Sequence, residues 1–242
     1  MSTTFLTVIV MGTTVAVVIA LFLIMWRERQ SDRDGAVALA SGGVLASWTA
    51  LVTVLAMRGG FLSPGSRSVP PVGIALVGVL VGIGAALSMS ESLRRLLTSQ
   101  QSVIRLNVWR VIGVVFLLLL ASGEVPAVWA LPTAIGDIIV GLTAFWVASQ
   151  LDSPAGRRRA IIFNLFGLAD LVVAIGLGVM TSPGLLNVIR TSPTTELMTR
   201  FPMVLVPTFL VPLAIMLHVV SLWQLLSTSW ASQPAAALAR GR

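Results

Sequence analysis

Asp137 and Asp170 each lie near the middle of a long apolar stretch of the chain. A carboxylate at the centre of a bilayer costs about 2.5–3.5 kcal/mol on insertion scales. At a rise of about 1.5 Å per residue, Asp137 lies about 14 Å from the end at which its helix begins. Asp170 lies about 15 Å from the opposite side, at which the next helix begins. Because consecutive spans run antiparallel, we expect the two acids to lie at one depth on neighbouring helices.

Two carboxylates at one depth cannot comfortably both be charged in a medium of low dielectric constant. We therefore expect the pair to share or retain a proton. Such a pair suits a proton- or cation-linked carrier, and it also suits general acid–base chemistry. The alternative is a protonated, hydrogen-bonded aspartate that only holds the helices together.

Other polar residues lie close to this pair along the chain. Asn164, Gly167 and Asp170 recur every three residues, so they share roughly one helix face. Side chains tilt toward the helix N-terminus, which directs His218 toward the midplane and Arg110 toward the cytoplasm. We expect Asn164, His218 and Arg110 to form a polar track inside a hydrated, inward-facing cavity. Snorkelling of Arg110 to the headgroups and a packing role for His218 are the alternatives.

Three prolines, Pro202, Pro207 and Pro212, lie in the last apolar stretch. Pro212 removes an N–H and so frees the carbonyl of Thr208 at the depth of the acids. Interrupted helices at this depth are typical of binding sites in transporters, although a proline often only kinks a membrane helix. The candidate substrate- or ion-binding residues are therefore Asp137, Asp170, Asn164, His218, Arg110, Pro212 and Thr208.

The composition requires lipid as the solvent of this chain. Of its 242 residues, 56% are hydrophobic and 10% are charged, whereas a soluble domain has about 25% charged residues. Spanning the hydrocarbon takes about 20 residues of helix. Seven stretches meet this need, at about residues 5–26, 36–57, 72–89, 103–121, 128–148, 160–180 and 202–225. They predict an all-α integral membrane protein, with one seven-helix transmembrane domain over residues 1–242.

The arginines predict the orientation. Eleven of them fall on one side of the seven-span arrangement, namely Arg27, Arg29, Arg33, Arg94, Arg95, Arg105, Arg157, Arg158, Arg159, Arg240 and Arg242. The other side has only Arg58, Arg67, Arg190 and Arg200. Because arginine marks the cytoplasmic side, the N-terminus is predicted outside and the C-terminus in the cytoplasm. The predicted location of the protein is the plasma (inner) membrane.

The longest connection, residues 181–201, follows the sixth span on the outer side. Its Ser182-Pro183 and Ser192-Pro193 pairs are each typical of an N-cap followed by the first residue of a helix. Short interfacial helices over the outer mouth are one interpretation. A surface connection without a special role is the other.

The residue types exclude several classes of site. The chain has no cysteine and one histidine, which excludes disulfides, thiolate metal sites and iron–sulfur clusters, and no metal or other cofactor is predicted. It has no lysine, which excludes a retinal Schiff base.

The orientation rule accounts for the net charge of +7, so no nucleic-acid partner is expected. The predicted partners are the lipid bilayer and a small-molecule or ion substrate. The Gly78/Gly82 GxxxG pair leaves a homo-oligomer open.

Two short segments resemble motifs of intramembrane aspartyl proteases. Ala134-Ile135-Gly136-Asp137 is similar to the GxGD motif, with alanine for its first glycine, and Pro212-Leu213-Ala214 is similar to a permuted PAL motif. The resemblance implies that Asp137 and a second aspartate, Asp170, activate a water molecule for peptide cleavage. It covers fewer than ten residues, and the tyrosine that often precedes the second aspartate is absent.

The leading prediction is a small proton- or cation-linked carrier with Asp137 and Asp170 as its midplane site and with no catalytic residue. A receptor-like or structural membrane subunit without catalysis is the alternative. An enzyme of the intramembrane aspartyl-protease type is third. The sequence does not indicate the substrate.

Overall fold

The computed structural model describes residues 2–62, 70–153 and 155–227, and these residues form helices, turns and loops without strands. Seven of the helices are long and apolar enough to cross a membrane: α1 (Thr3–Glu28), α2 (Asp32–Met57), α3 (Pro71–Met89), α4 (Gln100–Ala121), α5 (Ala127–Ser149), α6 (Gly156–Thr181) and α7 (Val206–Leu226). A short helix, Glu91–Leu96, joins α3 to α4. The prediction of an all-α chain with seven candidate spans is confirmed for the described residues, and it indicates a multi-pass membrane protein.

Local signals in the sequence set several helix ends. The hydroxyl of Ser31 accepts from the backbone N–H of Asp34, 3.2 Å away, and so caps α2, while α3 has proline at its first position, where the missing N–H costs nothing. The last helix begins at Val206 and not at the predicted residue 202, because the residues just before it form turns.

We call the end of the bundle at which α1, α3, α5 and α7 begin the outer end, after the predicted orientation, and the opposite end the inner end. At the inner end, Arg157 of α6 donates hydrogen bonds of 3.0 and 2.8 Å to the carbonyl of Leu225. It thereby satisfies an orphan carbonyl at the end of α7. Arg95 pairs there with the buried Asp34, 3.0 Å away. Of the arginines used to predict the orientation, Arg67, Arg240 and Arg242 lie outside the described residues.

Close approach of α4 and α5 organises the middle of the bundle, where α5 packs on α4 on one side and on α6 on the other. A Cβ at Gly113 of α4 would collide with Asp137, and a Cβ at Gly141 of α5 would collide with the α4 backbone at Val111. Glycine at both positions therefore lets α4 and α5 cross closely enough for their polar side chains to meet. In contrast, α3 has no buried residue.

The GxxxG pair of α3 does not make a close contact within the described part of the bundle. A Cβ added to Gly78 or to Gly82 would meet nothing within 4 Å. Packing of this pair inside the bundle is therefore not observed, and its use between protomers stays a prediction.

Irregular helical segments lie in the middle of α4 and at the beginning of α7. Residues Leu106–Gly113 of α4 form a 3₁₀ segment, and residues Val206–Leu210 of α7 form a π segment that contains Pro207. Short 3₁₀ and π segments often mark hinges or functional sites in helices.

The carbonyl that Pro212 frees at Thr208 has a partner on another helix. The indole Nε1 of Trp48 in α2 donates to it over 3.0 Å. The sequence predicts the free carbonyl, whereas its partner lies 160 residues away in the chain. This bond ties α2 to the interrupted part of α7.

We expect Trp48→Phe to destabilise the protein by about 1–3 kcal/mol, because it leaves the buried Thr208 carbonyl without a donor. The matched control is Trp109→Phe, since the buried Nε1 of Trp109 has no hydrogen-bond partner in the described chain. Unfolding in mixed micelles, followed by far-ultraviolet circular dichroism, measures both changes. Equal losses for the two variants would show that the indole hydrogen bond contributes nothing.

The connection between α6 and α7 folds onto the outer end of α6. Its one short helical segment, Thr195–Thr199, is a 3₁₀ turn capped by the hydroxyl of Thr194. The predicted helix starts at Ser182 and Ser192 are therefore wrong. The buried hydroxyl of Thr195 donates to the carbonyl of Gly178, 2.8 Å away, so this part of the connection packs against the bundle.

Candidate functional site

Arg110 lies between Asp137 and Asp170. Its Nε donates to Oδ1 of Asp137 over 2.6 Å, and its Nη2 donates to Oδ2 of Asp170. These contacts join α4, α5 and α6 at one depth, and we call the three residues the charge cluster. The structure thus brings the two aspartates together as the sequence indicates.

The placement of Arg110 differs from the expectation. Its side chain is 0% exposed, so it neither snorkels to the headgroups nor leans away from the acids toward the cytoplasm. Two carboxylates compensate the cost of burying its guanidinium, which is large for an unpaired charge. The guanidinium also takes the place of a proton shared directly between Asp137 and Asp170.

Glycines on the facing helices make room for the acids and for the histidine. A Cβ at Gly136 would overlap with the carboxyl group of Asp170, and a Cβ at Gly167 would overlap with the imidazole ring of His218. Gly136 immediately precedes Asp137, so the local sequence of α5 supplies one acid and the space for the other.

The charge cluster continues into a hydrogen-bonded chain toward the inner end. The Nε2 of His218 lies 3.0 Å from Nη1 of Arg110. A guanidinium only donates, so Nε2 accepts and the ring proton resides on Nδ1. From there Nδ1 donates to Oδ1 of Asn164 over 2.9 Å. His218 is therefore the neutral Nδ1–H tautomer in this arrangement.

Asn164 passes the chain on to two residues that the sequence analysis missed. Its Nδ2 donates to Oγ of Ser221 over 2.7 Å, and Nε2 of Gln100 donates to the same hydroxyl over 2.5 Å. Ser221 is three residues after His218 on one face of α7, a spacing that could have identified it. Gln100 lies just before the predicted fourth span. We call Arg110, His218, Asn164, Ser221 and Gln100 the buried polar chain.

The net charge of the cluster follows from this pairing. Two carboxylates and one guanidinium sum to −1 when all three are ionised, and neutral His218 adds nothing. A net negative charge in a medium of low dielectric constant favours one further positive charge, supplied by a proton or by a cation.

Thr208 and Pro212 lie outside this network of contacts. The hydroxyl of Thr208 donates to the carbonyl of Val204 over 2.6 Å, and its own carbonyl accepts from Trp48. Both polar groups of Thr208 are therefore used by the fold. Pro212 is buried at the start of the regular part of α7.

A cavity of about 670 Å³ reaches the charge cluster from the outer end. Its walls come from α3, α4, α5, α6, α7 and the connection between α6 and α7, and they are almost wholly apolar. Asp137 is the one charged residue among the described residues that line it. We call it the outer cavity.

The expected hydrated cavity on the inward side is not found among the described residues. Arg110, Asn164, His218 and Ser221 are each 0% exposed and pack against one another. The predicted polar track is present as contacts between side chains, and the cavity lies on the opposite side of the acids. Within the same described ranges, no cluster of histidine and acidic residues could hold a metal ion.

Comparisons with known proteins give a family. No curated protein and no solved structure matches the chain. One family model, described as a domain of unknown function (DUF8737), matches residues 69–226. The match covers more than half of the chain and extends from α3 to α7, so it contains the charge cluster and the buried polar chain. The protein therefore belongs to the DUF8737 family.

Proposed function

We propose that the protein is a proton- or cation-linked carrier of the plasma (inner) membrane, with the charge cluster as its midplane site. The observation that carries this proposal is the two-sided connection of the cluster. Asp137 lines a cavity that leads from the outer end, and Arg110 continues into the buried polar chain toward the inner end.

In the proposed cycle, the net charge of −1 attracts one proton or cation from the outer cavity to Asp137. Neutralising Asp137 weakens its ion pair with Arg110, because the charge-assisted part of the hydrogen bond is lost. Arg110 is then held by Asp170 and His218 alone. The irregular segments of α4 and α7 are the parts of the bundle that can adjust to this change.

A structural membrane subunit is the second candidate. It is favoured by the hydrogen bonds within the buried polar chain, in which Arg110, Asn164 and His218 all have partners. In that function the charge cluster and the buried polar chain hold α4 to α7 together and never open toward the inner end.

The protease-like function is the least supported of the three. Aspartyl catalysis needs a water molecule held between two carboxyl groups that share a proton. Here the guanidinium of Arg110 occupies the position between Asp137 and Asp170.

Because the chain has no native cysteine, single-cysteine variants can test two-sided access directly. We expect Thr133→Cys in the outer cavity and Ser221→Cys in the buried polar chain to react with a membrane-impermeant maleimide from opposite sides. Conditions that increase one rate should lower the other, as alternating access requires. If Ser221→Cys never reacts from the inner side, the structural subunit replaces the carrier.

Two control variants show the labelling expected of a lipid-facing position and of an exposed position at the inner end. Leu142, 67% exposed, points away from the bundle, so Leu142→Cys should stay unlabelled from both sides if that surface faces lipid. Ser149 is exposed at the end of α5, so Ser149→Cys should react from the inner side in every condition.

The proposed orientation, with the N-terminus outside, has its own test. A reporter that is active only in the cytoplasm should be active when it is fused after Arg242, because eleven of the arginines then lie on the cytoplasmic side. Activity of an exported reporter at the same position would contradict the seven-span orientation.

A further inference from the structure

We propose that the outer cavity binds an amphipathic organic ammonium ion, with its apolar body in the cavity and its N–H donors on Asp137 and Thr133. Use of this ligand as the carrier's substrate rests on the proposed function, whereas binding to the cavity does not. The proposal comes from the size of the cavity, its one charged residue and an unpartnered hydroxyl.

The size and the walls of the outer cavity fit the body of a small organic molecule. Its volume of about 670 Å³ lies within the range of about 300–1,000 Å³ that is usual for ligand pockets. Phe116 and Trp129 line it, and their rings form an edge-to-face pair with centroids 5.0 Å apart. Aromatic faces attract organic cations as well as apolar groups.

The sign of the ligand's charge follows from Asp137. Arg110 donates to Oδ1 of Asp137, and Asp137 also lines the cavity. The charge cluster has a net charge of −1 when its three members are ionised, and Arg110 is fully buried between the two acids. A cationic group at the inner end of the cavity is therefore favoured, and an anionic group there would face the carboxylate.

Thr133 indicates that the cation has N–H donors. It is 4% exposed and lines the outer cavity, and its hydroxyl has no hydrogen-bond partner in the described chain. A buried hydroxyl without a partner is rare, because the loss costs about 1–3 kcal/mol. Thr133 precedes Asp137 by one helical turn, so the two side chains lie about 5–6 Å apart and one ammonium group can reach both.

Three other polar side chains of the cavity wall have partners of their own. The indole Nε1 of Trp129 donates to the carbonyl of Ala174 over 3.0 Å. The hydroxyl of Thr195 donates to Gly178, and that of Thr199 donates to Glu196 over 2.7 Å. Asp137 and Thr133 are thus the pair that a ligand can use.

Three probes with one apolar body and different charges test the site: adamantan-1-ammonium, adamantan-1-ol and adamantane-1-carboxylate. Equilibrium dialysis against the full chain in lipid nanodiscs, corrected with empty nanodiscs, measures their binding. We expect saturable binding of the ammonium ion, at least tenfold tighter than that of the alcohol and of the carboxylate. Equal binding of all three would reveal an apolar or acyl-chain cavity and overturn the proposal, as would no saturable binding of the ammonium ion.

Variants assign the binding to the two residues. Asp137→Asn should lower the affinity for the ammonium ion at least tenfold, toward that of the alcohol. Thr133→Val, which has nearly the same shape and breaks no existing hydrogen bond, should fold normally and lower it severalfold. The control is Thr143→Val on the same helix, whose hydroxyl donates to Ile139, and it should not change the affinity. Unchanged binding in Thr133→Val, or in a folded Asp137→Asn, would overturn the assignment.

The outcomes separate this site from the carrier function. Binding of the ammonium ion without two-sided cysteine labelling would support the ligand site and contradict the carrier function. Two-sided labelling without binding would support the carrier function and overturn the ammonium ion as its substrate.

Discussion

Replacing Arg110 by methionine is expected to lower the free energy of unfolding by about 3–5 kcal/mol, because it leaves Asp137 and Asp170 buried without their shared counterion. Methionine keeps much of the volume of arginine, so the loss reports mainly the missing charge and its hydrogen bonds. Titration of mixed micelles with dodecyl sulfate, followed by circular dichroism, measures the change. This is the largest effect of a single substitution that we expect.

Two further variants make this result specific. Arg105→Met changes an exposed arginine on the same helix, and a surface change of this kind costs under about 0.5 kcal/mol. Adding Asp137→Asn and Asp170→Asn to Arg110→Met removes all three charges and should recover most of the loss, because neutral amides no longer repel. A loss no greater than that of Arg105→Met would contradict the role of Arg110 as the shared counterion.

Gly167→Ala is expected to destabilise the protein by about 1–3 kcal/mol, the usual cost of forcing extra volume into a packed site. The new methyl group overlaps with the ring of His218, so it must displace the imidazole from Arg110 or Asn164. The same unfolding titration measures the loss.

The control is Gly176→Ala on the same helix, where a Cβ meets nothing within 4 Å. Alanine has the higher helix propensity, so this variant should be unchanged or more stable by about 0.5–1 kcal/mol. Comparable losses at both positions would mean that the glycine effect belongs to α6 as a whole and not to the contact with His218.

The sequence was sufficient to place the two aspartates at one depth, because that prediction needs only helix rise and the order of the spans. The predicted direction of the His218 side chain agrees with its contact with Arg110. The predicted direction failed for Arg110, since its long side chain follows its counterions and not the usual tilt. The pairing of one guanidinium with both acids could not be predicted, because it depends on the position of Arg110 between them.

Other features could not be derived because they depend on distant contacts. The partner of the Thr208 carbonyl, Trp48, belongs to a helix far away in the chain. The outer cavity is formed by five helices and a connection, and no local pattern encodes its volume. Gln100 and Ser221 are ordinary polar residues until packing places them beside Asn164.

In the proposed carrier, the charge state of the acid pair controls access from the inner side. Among the residues that the structure describes, the charged group that contacts the two acids is Arg110, from α4. The titratable His218, from α7, contacts Arg110 in turn. The most direct measurement is the labelling rate of Ser221→Cys from the inner side between about pH 5 and about pH 9, a range in which buried carboxyl groups can titrate. Because maleimide reacts with the thiolate, whose fraction itself rises with pH, the rate is divided at each pH by that of the exposed Ser149→Cys. We expect a ratio that depends on pH and that loses this dependence when Asp137→Asn or Asp170→Asn is added. A ratio that is independent of pH, or that varies equally in the Asn variants, would contradict the carrier proposal.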